Sequence, residues 1–426
     1  MNITQLRRQI QDPLYRNSLL LMVNTAVTTG MGFIFWMVVA RYYTEYEVGL
    51  AAAIISAISL LALISSLGLD VALIRFLSKA REPVKMINSC FTISGIVALA
   101  VAGIFLAGLD LWSPATEFVR GNIRFLLAFI LFVVCWPLSG LMASVFVAGR
   151  RAEFVLVKST IFSLLKIPLP ILLAYYFHAF GIVGSWGVAA VAAFIISLFL
   201  FIPRIQKSYR PVPRLDLSII RDIWKYSAGN YFVSIFAAAP YFLLPIIVVN
   251  LISAEQNAYF YVAWMMAGLV YAIPVAVSAS LFAEGSHAEE ALVANARRSF
   301  RFIILLLVPA IILLVALGKW LLLLFGENYS SNGLTLLWIL GASGLFIAVN
   351  DVYYSILRVR GRIRELFFIR ALISIAVVVA GSLIAPKIGI VGIGYAWISA
   401  QAVASIYVLL RVRVRYRAMK AQRIDS

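Results

Sequence analysis

The polar positions of this chain are spaced so that long stretches carry no charge at all. Residues 17–40, 48–69, 86–109, 125–149, 179–203, 226–254, 256–283, 328–350 and 388–410 contain no Asp, Glu, Lys or Arg. An apolar run of about 18 residues or more is long enough to cross the hydrocarbon of a bilayer as a helix. Three further segments, 154–177, 302–325 and 366–386, qualify with a charge inside them or close to one end. The pattern predicts twelve membrane-spanning helices and an all-α integral membrane fold. No soluble core hides twelve such helices in 426 residues.

Composition agrees with the pattern. The chain is 63% hydrophobic and 13% charged, against about 25% charged residues in a soluble domain. The first apolar run, residues 17–40, exceeds the 7–15 residues of a signal-peptide core, and no small-residue cleavage site follows it, so it reads as a span. Cys90 and Cys135 each lie inside an apolar run and read as small buried hydrophobes, not a disulfide framework or a metal cluster. His178 and His287 fall in connections on opposite sides of the membrane, so no metal constellation is expected from them.

The charges set an orientation. Lys and Arg concentrate in short cytoplasmic loops near span ends. Thirty of the 36 basic residues fall in alternate connections, beginning with Arg7, Arg8 and Arg16 and including the clusters at 75–85, 150–158, 204–225, 297–301, 358–370 and 411–423. Only Arg41, Arg120, Arg124, Lys319 and Lys387 fall on the other side, and Lys166 is left inside a helix. Both termini are therefore expected in the cytoplasm. The net charge of +18 is spread over seven connections and suits anionic lipid headgroups; nucleic acid is not an expected partner.

The chain also repeats itself. GRRAEFVLVK at 149–158 is echoed by GRIRELFFIR at 361–370, an offset of 212. GIVG at 181–184 is echoed by GIVG at 389–392, an offset of 208, which implies a hairpin between spans 5 and 6 four residues longer than that between spans 11 and 12. Six spans per half make the halves parallel repeats, the arrangement in which transporters bind substrate at the repeat interface and rock for alternating access. The expected organisation is an N-terminal six-helix lobe (1–204), a cytoplasmic interfacial linker (205–225) and a C-terminal six-helix lobe (226–426). In the linker, Leu217, Ile220, Ile223 and Trp224 have the spacing of a short helix lying in the membrane interface.

With ARYYTEYEVGLA at 40–51, SLGLDVALIRFL at 66–77, VAGRRAEF at 147–154 and GIVGSWG at 181–187, the whole chain resembles the multidrug/oligosaccharidyl-lipid/polysaccharide (MOP) exporter superfamily. Within it the polysaccharide-transporter, or O-antigen flippase, branch is the most similar. The resemblance implies export of a polyprenyl-linked saccharide from the cytoplasmic to the outer leaflet of a cell membrane. It implies no cofactor and leaves the coupling ion, proton or sodium, open. Implied partners are the lipid-linked saccharide, membrane lipids and a polysaccharide polymerase or glycosyltransferases. The related lipid II flippases usually carry fourteen spans, so an extra pair is missing here.

A saccharide headgroup with its pyrophosphate crosses hydrocarbon only if its polar groups are paired, so ionisable residues inside spans are the first candidates. Lys166 lies about 12 residues into span 5, roughly 18 Å deep, and is followed by Pro168 and Pro170, which break helix hydrogen bonds. It reads as a cation lining a polar cavity or as the partner of a buried carboxylate. Arg41 and Arg124 at outer helix ends, and Asn24 and Asn230 within spans, are further candidates for substrate contact; each also has a plain interfacial or helix-bonding reading. Asp70, Arg75 and Asp351 read as structural charge pairs or coupling groups. Trp36, Trp112, Trp320 and Tyr329 read as interfacial belts.

Two other classes compete. A multidrug and toxin exporter on the same fold binds cations and needs buried carboxylates, yet span 1 holds no acid. A membrane glycosyltransferase or polymerase needs acids or bases on a sizeable outer loop, and the longest, about 110–124, offers only Asp110 and Glu117. The duplicated halves argue against a symmetric pore. Reporters fused after residues 45, 115 or 255 are expected to face outside, and those after 82, 212 or 290 to face the cytoplasm; a cytoplasmic signal from the loop near 115 breaks the span assignment.

Overall fold

The computed structural model describes residues 13–287 and 289–424; Arg7 and Arg8 of the charge pattern lie outside them. Twelve long helices follow one another: α1 (Pro13–Tyr42), α2 (Glu45–Ser65), α3 (Pro83–Ala107), α4 (Ile123–Ala148), α5 (Ala152–Lys166), α6 (Leu169–Ile196), α7 (Leu217–Leu251), α8 (Ala254–His287), α9 (Leu292–Leu323), α10 (Glu327–Val359), α11 (Ile363–Ile388) and α12 (Ile390–Ile424). Twelve helical stretches of the described residues are long and apolar enough to cross a membrane; the fifth, Ala152–Leu173, runs from α5 into α6, and the sixth, Phe177–Ile205, starts where α6 breaks at His178 and runs past its end.

Local chemistry starts these helices. Thr44 caps α2 through a reciprocal box: its hydroxyl accepts from the Glu47 N–H, and Glu47 Oε2 accepts from the Thr44 N–H at 3.0 Å. Half of this arrangement recurs before α8, where Ser253 Oγ accepts from the Gln256 N–H at 3.2 Å. Pro83 opens α3, and the Asn122 side chain accepts from the Arg124 N–H at the start of α4.

The chain forms two compact units, one up to Tyr231 and one from Phe232 onward. In the first, α2 runs buried along Val48–Ile58, where alanines at 51, 52, 53 and 57 let neighbouring backbones approach. Small residues matter because lipid tails offer no hydrophobic drive between helices, so close packing has to supply the attraction. In the second unit α10 plays that part, with Gly333, Gly341 and Gly344 buried against α8 and α9.

One expectation about the middle of the chain is corrected. The segment 217–225 is not a separate short helix; α7 is continuous from Leu217 to Leu251. The segment before it is strapped along α3 of the first unit. Asn88 Nδ2 donates to the Arg210 carbonyl at 2.9 Å, the Arg214 N–H donates to Thr92 Oγ1 at 3.0 Å, and Lys85 pairs with Asp216 at 2.8 Å.

The duplication is visible in the backbone, in a different register from the sequence echoes. Helix α4 ends in a Schellman turn: Arg150 adopts φ 54°, the Arg151 N–H reaches the Phe146 carbonyl at 2.9 Å, and the Arg150 N–H reaches Val147 at 3.0 Å. Helix α10 ends identically, with Gly361 at φ 63°, Arg362 bonded to Leu357 at 2.8 Å and Gly361 to Arg358 at 3.1 Å. Arg150 thus corresponds to Gly361, one residue off the GR echo.

The next break follows 28 residues later in both units. His178 has φ 46°, ψ −138°, and Gly389 has φ 69°, ψ −158°. The two hairpins therefore match in length, and the four-residue difference read from the GIVG echo is overturned. The repeated GIVG begins at the break in the second unit but beyond it in the first.

That shared backbone state is one that only glycine adopts freely. A Cβ at Gly389 would meet nothing within 4 Å, so Gly389→Ala should cost torsional strain alone, about 1–3 kcal/mol. His178→Gly should not lower stability by more than a few tenths of a kcal/mol, since relieved strain offsets both the added chain entropy and the exposed contact with Glu47. Thermal unfolding of the detergent-purified variants checks both signs; an unchanged Gly389→Ala midpoint refutes the strain argument.

Candidate functional site

Helix α5 stops at Lys166 because Pro168 and Pro170 remove helix N–H donors just beyond it; α6 restarts at Leu169 with proline in its first turn. Lys166 is 6% exposed. Its ammonium stands 4.7 Å from the Phe162 ring centroid and 5.3 Å from that of Phe35, and among the described residues it forms no ion pair with a carboxylate. The expected alternative of a buried carboxylate partner is thus replaced by aromatic rings.

Those rings belong to a larger cluster. Phe162 packs on Trp136 of α4 at 5.6 Å and on Trp186 of α6 at 6.1 Å, and the two indoles lie 4.3 Å apart. Four helices of the first unit, α1, α4, α5 and α6, therefore build one aromatic box beside a cation. Trp36, expected in an interfacial belt, is buried next to Phe35, as Tyr329 is in the second unit, whereas Trp112 and Trp320 are exposed.

Asn24 shares a stripe of α1 with this site. Asn17 Oδ1 accepts from the N–H of Ala152, the first residue of α5, and Phe35 covers Lys166, the last. Asn24 lies between them at helical spacing, and its Oδ1 is buried without a hydrogen-bond partner. Arg41 and Arg124 stand exposed at helix ends outside the aromatic box, and Asn230 is half-buried in α7. Asp70 and Arg75 occupy the first and last turns of a short helix, Leu69–Phe76. Five residues apart, they sit about 140° apart around the helix, off the i,i+4 spacing of ion pairs. Each instead complements the helix dipole at its own end, and Arg75 lies over the Phe76 ring at 5.6 Å.

The sequence reading placed Lys158 and Arg370 among the loop charges, and both turn out to project into their units. Lys158 is buried on α5, where its Nζ donates to the carbonyl and hydroxyl oxygens of Ser139 on α4 at 2.5 and 3.0 Å. Arg370 on α11 donates to Asp351 on α10 at 3.2 Å and lies 4.1 Å over the Tyr354 ring. In each unit the cation reaches an oxygen 19 residues earlier on the preceding helix. Asp351 is thereby paired, but Asp351 Oδ2, Arg370 Nε and the Tyr354 hydroxyl are buried without hydrogen-bond partners. The clue in the sequence was the basic residue nine places after each echoed Gly. Among the described residues no group of three His, Cys, Asp or Glu could hold a metal, and Cys90 and Cys135 are free and buried.

Solved structures share this architecture. An inward-facing MATE-family multidrug transporter of the MOP superfamily aligns over 95% of this chain and 99% of its own, at TM-score 0.69 and 14% identity. The lipid II flippase MurJ in an inward closed conformation aligns over 93% and 87%, at TM-score 0.74 and 14% identity. An outward-facing MATE transporter aligns over 96% of both chains, at 0.64 and 15%. The chain therefore has the twelve-helix, two-unit fold of the MOP superfamily. The sequence profile described as polysaccharide biosynthesis protein matches residues 14–283, more than half of the chain, and the protein belongs to that family. No curated protein matches it significantly in sequence.

Removing one member of a buried ion pair leaves the other charge stranded, at about 3–5 kcal/mol. Arg370→Met should therefore lower the unfolding midpoint sharply. The double variant Asp351→Ser with Arg370→Lys copies the Lys158–Ser139 pair and should recover a large part of the loss. Equal stability of the single and double variants overturns the equivalence of the two pairs.

Proposed function

We propose that this protein is a flippase that moves a polyprenyl-linked oligosaccharide, or a related polysaccharide precursor, from the cytoplasmic to the outer leaflet of the cell membrane by alternating access. On this reading both termini lie in the cytoplasm, and a polymerase or glycosyltransferases act on the delivered product. The protein is read as a transporter and not an enzyme. Membership of the polysaccharide biosynthesis family supports it, as does the structural similarity to the lipid II flippase MurJ.

The observation that carries the reading is Lys166. A charge buried at membrane depth costs several kcal/mol unless something answers it. Two aromatic rings answer part of that cost, worth about 0.5–2 kcal/mol by cation–π attraction, and leave the site positively charged. An anionic phosphate supplies the remainder, and a lysine holds it as a point charge. The adjoining indoles offer apolar faces to sugar rings, and the unpaired Asn24 oxygen offers an acceptor to a hydroxyl. Arg41, Arg124 and Asn230 remain secondary candidates for substrate contact. Asp70, Arg75 and Asp351 we read as structural charges.

A multidrug exporter is the second reading, prompted by the MATE neighbours. A cationic drug needs an uncommitted carboxylate, and the buried Asp351 is already engaged by Arg370.

Flipping of defined lipid-linked saccharides in proteoliposomes tests the proposal. Lys166→Met keeps the stem and removes the charge, so it should cut transport while leaving the unfolding midpoint near that of the parent. Lys166→Arg should retain part of the activity. Full transport by a stable Lys166→Met protein sinks the role of Lys166, and absence of flipping by the parent protein sinks the function.

A further inference from the structure

The strap before α7 carries the motif Arg210-Pro211-Val212-Pro213-Arg214. Its prolines fix their own φ and hold the residues before them extended, which lowers the entropy lost on ordering the strap. Alternate residues of an extended segment stand on one side. Here Arg210, Val212 and Arg214 line a surface pocket together with Glu82, Lys85 and Asn88 at the start of α3. Tyr209, between the core and the motif, is buried in the same cluster as Met86 and Ile87 and anchors the strap.

The ties along the strap use its backbone. The Arg210 carbonyl accepts from Asn88 Nδ2, and the Arg214 N–H donates to Thr92 Oγ1, so neither tie involves a guanidinium. Both arginines are exposed, and among the described residues neither forms an ion pair with a carboxylate. The nearby acids are engaged elsewhere: Glu82 and Asp216 both pair with Lys85, at 3.1 and 2.8 Å. Two guanidiniums are thus held on a stiff segment beside one pocket, and that chemistry suits a phosphate.

The surroundings decide which phosphate. The pocket lies at the beginning of α3, whose charge-free run opens at Met86, the level at which a spanning helix passes from headgroups into hydrocarbon. Val212, Leu215 and Leu217 stand exposed on the same stretch. A soluble anion makes no use of such side chains, whereas a lipid brings a phosphate and an acyl chain to one place. In the orientation proposed above the α6–α7 connection is cytoplasmic, and that leaflet carries the anionic lipids that attract basic residues near the membrane.

We infer that the arginine face of this strap binds the phosphate of a membrane lipid in the cytoplasmic leaflet, with Arg210 and Arg214 donating to its oxygens. The site lies within the first unit and is separate from Lys166, so it stands or falls independently of the flippase reading.

The test titrates the full-length protein in mixed micelles with phosphatidylglycerol over a phosphatidylcholine background. Arg210→Gln with Arg214→Gln should weaken binding about 30-fold, the combined effect of two basic side chains at an anionic surface. Arg210→Lys with Arg214→Lys should retain part of the affinity, because the charge stays and the bidentate geometry is lost. Arg297→Gln with Arg298→Gln removes the same charge from exposed positions near the start of α9 and should leave binding nearly unchanged. Unchanged affinity of the Arg210 and Arg214 glutamine variant, or an equal loss in the control, overturns the inference.

Competition separates the sources of the phosphate. Inorganic phosphate at the lipid's concentration should not displace it; displacement overturns the lipid assignment. Displacement by polyprenyl diphosphate assigns the site to carrier lipids as well, and its failure assigns the site to phospholipid; both support a lipid-borne phosphate. A second measurement holds if the variants unfold. Phosphatidylglycerol with a photoreactive diazirine close to its headgroup should label residues 206–218 or the start of α3 in the parent protein, and labelling confined to other segments overturns the site. A parent protein labelled here that flips no lipid-linked saccharide refutes the flippase reading alone.

Discussion

A cation among membrane-spanning helices has no water to answer it, so the protein has to. Most of what distinguishes this chain from a generic helical bundle follows from how it meets that demand three times. Lys158 takes two oxygens of Ser139, Arg370 takes a carboxylate and the face of Tyr354, and Lys166 takes two rings. The first two ties join the fourth and fifth helices of their units just inside a Schellman turn. They hold each hairpin closed where apolar packing alone has little drive.

The fold was legible because charge exclusion from hydrocarbon is a strong and simple rule. The twelve runs could be read from the spacing of acids and bases. What escaped was the register of the turns, one residue off the echo that the Lys158 and Arg370 ties keep. The echo of Gly149 in Gly361 suggested that two glycines do one job, but Gly149 sits before the turn at φ −78° and Arg150 takes the left-handed position. Sequence similarity followed residue identity, whereas backbone repetition followed torsion angles. The break at His178 shows the same gap: no pattern rule places histidine at a φ of 46°, and only its counterpart Gly389 reveals the shared geometry.

The candidate site was legible in its cation and not in its surroundings. Lys166 stood out as a charge inside a span, and the prolines after it announced the helix break. Phe35, Trp136, Phe162 and Trp186 come from four helices, and an apolar ring in an apolar run carries no signal of its own. Lys158 and Arg370 were hidden for a different reason. They lie close enough to helix starts to pass as loop charges, and only the inward face of the helix separates the two cases. The belt assignments of Trp36 and Tyr329 failed likewise, because depth along a helix says nothing of the direction in which a ring points.

The difference between the three cations bears on what the molecule selects. Arg370 is neutralised by Asp351, and that pair closes on itself. Lys158 spends its donors on a backbone carbonyl and a hydroxyl, which orient it without cancelling its charge. Among the described residues Lys166 meets rings and no carboxylate, and ring quadrupoles attract a cation but accept no proton and carry no net charge. Among the described residues the first unit therefore sets a cation beside an aromatic wall without a carboxylate, whereas the second unit pairs its cation with Asp351. A substrate with a negative centre and an adjoining ring-shaped polar body matches the first arrangement. A cationic drug would meet repulsion at Lys166 and an occupied carboxylate at Asp351.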